Sequence, residues 1–191
     1  MLTAPSTQKT QWITKEMLFF FAIICSAPFW LETVGLYQYL GVEIAIWMIF
    51  ALGYNLLLGY TKLPSFGHGA YFGVGAYAFG LTQLHLTQSL WLGLALAIIA
   101  PAIARAIAGA IISHRRGIYY ALMTIGVGQV FWFISMKWHG VTGGEDGLLN
   151  IPRPDLFGYS LKSNEALLAL TICILMIVVI ALWRLVHSPF G

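Results

Sequence analysis

Few residues in this sequence could do chemistry, and the ones that matter stand within or beside long apolar stretches, where a polar group is costly unless it is partnered or functional. Glu43, Asn55, His68 and Arg105 are the residues to weigh. Glu43 lies at the end of an apolar run, close enough to an interface to stay hydrated, so a plain interfacial position outweighs a pathway role. Arg105 lies about two turns from the end of its run, and a side chain that long can bury its stem while carrying the guanidinium out to lipid phosphates. His68 stands between Gly67 and Gly69. Its ring can hydrogen-bond across a helix interface or cap a helix end. A proton or metal role is the weaker reading, because no second His, Cys or carboxylate stands nearby at ligand spacing. Asn55 sits one turn before the end of its run, and interhelical hydrogen bonds are the usual partners for such an amide. His85, His114, His139 and His187 fall at ends of different runs and do not cluster. Nothing assembles a nucleophile, a base and an oxyanion site. The expectation is therefore no enzyme activity, no metal and no cofactor. Cys25 and Cys173 both lie within apolar runs and read as small hydrophobes rather than as a disulfide or metal ligands.

The elements that must position these residues follow from composition. Hydrophobic residues make up 59% of the chain and charged residues 9%, against about 25% charged in soluble domains, and mean hydropathy is +0.81. The expected fold is all-α, a polytopic transmembrane helical bundle, read as one domain over residues 1–191. The net charge of +3 comes without a basic patch interleaved with aromatics, so nucleic acid is not an expected partner and membrane lipid is. A span needs roughly 17 to 25 mainly apolar residues. About six runs meet that length, near residues 17–36, 42–58, 66–84, 90–112, 118–136 and 166–186. The first has a short apolar core, so a cleaved signal peptide is an alternative for it, although Pro28 beyond Cys25-Ser26-Ala27 argues against cleavage. With the N-terminus inside, Lys9, Lys15, Lys62, Arg115, Arg116 and Arg184 fall on the inner side, and only Lys137, Arg153 and Lys162 fall outside. The positive-inside rule then gives N-in and C-in.

Small residues mark where helices should approach, because in lipid close backbone contact drives helix association. Gly69, Gly73, Ala76 and Gly80 share one helical stripe, as do Ala102, Ala106, Gly109 and Ser113, and Gly117, Ala121, Thr124 and Gly128. Each stripe is expected to be a packing face, with Gly73 and Ala76 inside a helix–helix contact. The one long connection, residues 139–164, carries Gly143-Gly144, Pro152 and Pro154. These suit an ordered loop with a sharp turn.

Several motifs together resemble a known family. GYNLLLGYTKLPSFGHGAYFGVGAY, then RGIYYALMTIGVGQVF, then TGGEDGL and IPRPDLFG, and finally RLVHSPFG are similar, in order and approximate spacing, to the permease subunits of branched-chain amino acid ABC importers. The resemblance implies a helical translocation subunit of a bacterial inner-membrane importer with no catalytic residues of its own. It also implies a second homologous permease, two ATPase subunits on the cytoplasmic side and a periplasmic substrate-binding protein. The residues it singles out, with those read above, are candidates for path, packing or docking: Asn55, His68, Gly69, Gly73, Thr142, Gly143, Gly144, Asp146 and Gly147. The Thr142 to Gly147 segment corresponds to the family's outer loop. There Glu145 and Asp146 would face either a docking surface or water.

The chain departs from the family in two respects. It stops at Gly191, short of the ATPase-docking loop expected beyond Ser188-Pro189-Phe190-Gly191, so a C-terminally incomplete permease is expected. Lys62-Leu63-Pro64 also stands where small and polar residues are usual. Urea and short-chain amide permeases are similar in this region and form the alternative substrate class. A non-transporting membrane scaffold or assembly subunit is the alternative of another kind.

Overall fold

A backbone inside lipid has no water to satisfy its N–H and C=O groups, so runs of this length and apolarity close their hydrogen bonds within helices. The computed structural model describes residues 26, 35, 37–62, 64–112, 114, 117–156, 159–160 and 163–188. Helix α1 (Gln38–Asn55) runs on into a π turn, Leu56–Tyr60, and α2 (His68–Leu81) into a second π turn, Thr82–Leu86. Helices α3 (Leu90–Ile112) and α4 (Ile118–Lys137) follow, then the single turn α5 (His139–Thr142) and a 3-10 turn, Gly144–Asp146. A small addition to the expected all-α fold is a two-residue antiparallel pair, β1 (Asp155–Leu156) with β2 (Tyr159–Ser160), in which Asp155 faces Ser160. Helix α6 (Asn164–Val186) completes the described elements. Its start is fixed by Ser163, whose hydroxyl oxygen accepts from the Ala166 N–H at 3.2 Å, and Glu165 and Arg184 sit at the ends that suit their charges.

Four helices are long and apolar enough to cross a membrane: Tyr39–Tyr60, Leu90–Ile112, Ile118–Lys137 and Asn164–Val186. The expectation of six spans is met to that extent. The run at 17–36 lies outside the described residues apart from Ser26 and Gly35. The glycine-rich run forms α2 and its π turn but is not among the four, because Gly, His, Tyr and Gln dilute its hydropathy.

The described helices pack in two groups. Val42 and Ala45 of α1 bury against Leu168, Ile172 and Leu175 of α6. Tyr71 of α2, Ala108 and Ile112 of α3 and Tyr120 of α4 form the second core. The groups meet at aromatic rings, with Phe50 of α1 at 5.3 Å from Phe72 and 5.0 Å from His68 between centroids.

The small-residue stripes divide. That of α4 packs as expected. Ala121 and Thr124 are buried, and the Cα of Gly67 lies 3.4 Å from where a Cβ on Gly128 would stand. The α2 stripe packs only at Gly80, against Leu148 and Ile151. Among the described residues nothing lies within 4 Å of a Cβ placed on Gly69 or Gly73, and Ala76 is exposed. The helix instead meets α3 through Gly75, whose Cβ would lie 3.0 Å from the Ala97 carbonyl oxygen, and through Gly93 of α3, whose Cβ would lie 2.8 Å from the Phe79 ring. On α3 the buried face carries Ala108 and Ile112, while Ala102 and Ala106 are exposed. The sequence gives the helical period, but the neighbour selects the face.

Candidate functional site

A cavity of about 700 Å³ runs along the facing sides of α2 and α4. One wall is set by Gly69, Gly73 and Tyr77, which recur every four residues on α2. The other is set by Ile125, Gly128, Gln129, Trp132 and Ser135 of α4. Among the described residues its lining contains no Asp, Glu, Lys, Arg or His.

At one end Phe66 and Gly67 form a seam against α4. The Phe66 N–H donates to the Thr124 hydroxyl oxygen at 3.1 Å, and that hydroxyl donates to the Ala121 carbonyl at 2.7 Å. A side chain on Gly67 would run into the Thr124 carbonyl oxygen. A buried hydroxyl here satisfies two backbone groups, which lets the α2 entrance lie directly on α4.

The other end is bounded by Trp138, Val141 and Thr142. The Thr142 hydroxyl lies 2.6 Å from the Ser135 carbonyl and 2.9 Å from that of Trp138, and accepts from the Gly144 N–H at 3.3 Å. The turn beyond requires glycine. Gly143, Gly144 and Gly147 have φ of 78°, 62° and 68°, the left-handed region that other residues enter at a cost. A Cβ on Gly144 would also lie 2.5 Å from the His139 ring. Leu148 and Ile151 then bring the segment back over α2, within 2.9 and 3.1 Å of a Cβ placed on Gly80. Glu145 and Asp146 point outward and are exposed.

The sequence profile of the family described as branched-chain amino acid transport system, permease component, matches residues 36–191. The chain belongs to this family. It is 32% identical over 148 residues to the high-affinity branched-chain amino acid transport system permease protein LivM of Salmonella typhimurium strain LT2, and likewise to LivM of Escherichia coli strain K12. In each case the match covers 75% of this chain and 34% of the relative. The chain thus spans about a third of the length of these relatives. No solved structure matches it. Family membership with the apolar helices makes it a multi-pass inner-membrane protein and a transport permease component.

Within this permease component the residues singled out in the sequence fall in separate places. Gly69, Gly73 and Thr142 line the cavity, and Gly143, Gly144, Asp146 and Gly147 form the turn at its end. His68 does not reach it. As the first residue of α2 it packs its ring on Phe50 and, at 5.9 Å, on Tyr54. Its Nε2 lies 3.4 Å from where a Cβ on Gly53 would stand, so that glycine makes room for the ring.

Asn55 makes no interhelical hydrogen bond among the described residues. It is exposed and lines a shallow groove with Tyr60, Trp183 and His187 between α1 and α6. It is the last residue of α1, immediately before the π turn.

Arg105 turns inward instead of snorkelling. Its guanidinium donates to the Tyr120 hydroxyl at 2.7 Å and lies 5.6 Å from the Tyr71 ring centroid, so one cation links α2, α3 and α4. Cys173 is exposed on α6 rather than buried. Among the described residues no group of His, Cys, Asp and Glu is placed to hold a metal ion. Tyr77 and Gln129 were missed in the sequence. The available signal was position, since each is a polar residue near the middle of an apolar run.

Proposed function

We propose that this chain forms part of the translocation path of an ATP-driven importer for branched-chain amino acids, with the α2–α4 cavity as a section of that path. The observation that carries this reading is the cavity itself, apolar and free of charged lining residues among those described, in a chain whose family is that of branched-chain amino acid permease components. An aliphatic side chain gains by leaving water along such a wall. A fixed charge would trap one end of a zwitterion and slow its release. The same apolar lining matches the aliphatic side chain of a branched-chain amino acid, a group that urea and short amides lack.

In this reading the described helices are part of one permease domain that pairs with a second, homologous permease. Two ATPase subunits act from the cytoplasmic side and a soluble binding protein delivers substrate from outside. The orientation is N-in and C-in, which puts Lys62 and Arg184 inside and the Thr142 to Gly147 turn outside, where it can meet the binding protein. The test is ATP-dependent uptake by the complete importer in vesicles, comparing labelled leucine and isoleucine with labelled urea and acetamide. Uptake of the amino acids alone supports the reading, and uptake of urea or acetamide alone replaces it with the amide-permease alternative. No ATP-dependent uptake of any of them, from an importer that assembles, favours the scaffold.

A further inference from the structure

An amino acid crossing an apolar cavity carries two ionised ends, and something in the wall must hold them while the side chain rests on hydrocarbon. Polar groups at that depth are costly and need a reason. The cavity offers few. Ser135 gives its hydroxyl proton to the Trp132 carbonyl at 2.7 Å, and Thr142 gives its own to backbone carbonyls of α4 and the residue after it, so neither can donate to a carboxylate. Trp132 and Trp138 present indole N–H groups, which donate but cannot accept. Tyr77 and Gln129 are left, and neither side chain has a partner among the described residues. They come from opposite walls, Tyr77 from α2 and Gln129 from α4. Each also stands near the middle of its helical run, Tyr77 at the middle of the run from His68 to the end of the π turn at Leu86 and Gln129 beside the midpoint of Ile118–Lys137.

We infer that Tyr77 and Gln129 are the polar waypoint of the path, the specificity-determining pair that contacts the ammonium and carboxylate of a zwitterionic amino acid at mid-depth. This rests on the transport role proposed above. The carboxamide both donates and accepts, so it serves either end of the zwitterion, and the phenol does the same from the other wall. Both are neutral, which keeps the hold brief. Substrate sites near the membrane midplane suit alternating access, because a group held there is equally distant from both sides.

The test uses the complete importer in proteoliposomes with binding protein varied up to saturation, following labelled leucine. Q129L keeps the bulk and removes the hydrogen bonds. It lowers the maximal uptake rate about tenfold or more, the cost of hydrogen bonds to a charged group, while the concentration of binding protein giving half-maximal rate is unchanged. Q129N restores part of the rate, because it restores an amide. Y77F, which removes one oxygen, lowers uptake several-fold and keeps the test decisive if Q129L fails to assemble. Parent-like rates for Q129L and Y77F overturn the inference, as does an equal defect in Q129L and Q129N, which would mark a packing role. A parent importer that carries no leucine overturns the proposed function instead.

Discussion

Glycine plays opposite roles at positions that look alike in sequence. Gly67 and Gly73 both stand in the glycine-rich run, yet a side chain on Gly67 would meet backbone of α4, whereas Gly73 faces open space among the described residues. Gly67→Ala should therefore destabilise by about 1–3 kcal/mol, the usual cost of overpacking. Gly73→Ala should be neutral or stabilising by up to about 1 kcal/mol, because alanine is the better helix former. Thermal unfolding of the two purified variants checks the contrast, and equal destabilisation would put Gly73 back in a packed contact. This difference was not legible in the sequence, since small residues at helical spacing mark a close neighbour and a bare cavity wall equally well. Arg105 shows the same limit. Its length permits both snorkelling and an inward turn, and the deciding partner, Tyr120, belongs to the next helix. Tyr120→Phe removes that partner, with an expected loss of about 1–2 kcal/mol, read from the same unfolding curves. An unchanged midpoint would show the guanidinium to be satisfied elsewhere.

Among the elements, the long apolar helices were legible nearly to the residue. The runs read at 90–112 and 118–136 became Leu90–Ile112 and Ile118–Lys137, because their flanking Gly117 and polar connections end the apolar signal sharply. The π turns and the small hairpin were not legible, since both depend on what lies across from them. The buried Gln83 illustrates this. Its amide donates to the Ser89 carbonyl at 3.1 Å and fixes the Thr82–Leu86 turn against the start of α3. The turn after α5 was legible in part, because the paired glycines announced a sharp bend. Gly144→Val should disrupt that bend twice over, through its φ of 62° and through collision with the His139 ring. The expected outcome is faster proteolysis of the segment in intact vesicles than in the parent. Cleavage at the parent's rate would mean that the turn tolerates a side chain.

For the whole molecule, the described helices leave much apolar surface uncovered, such as Ile103 at 56% and Ile107 at 62% exposed on α3. In a multi-pass protein that surface meets lipid or other membrane helices rather than water. The chain spans only about a third of the length of the LivM relatives reported above, so the proposed transport is a property of the assembled importer, with the cavity as the section of the path proposed for these helices. The central claim is that substrate passes between α2 and α4. The direct measurement is leucine uptake by the complete importer with Cys25 and Cys173 replaced and a single cysteine introduced as Gly73→Cys, before and after reaction with a bulky thiol reagent. The open space at Gly73 admits the cysteine, so uptake before reaction should be near that of the parent. Modification should then fill the cavity and stop uptake, while the same treatment of Ile107→Cys leaves it unchanged. Undiminished uptake by the fully modified Gly73→Cys importer would contradict the account.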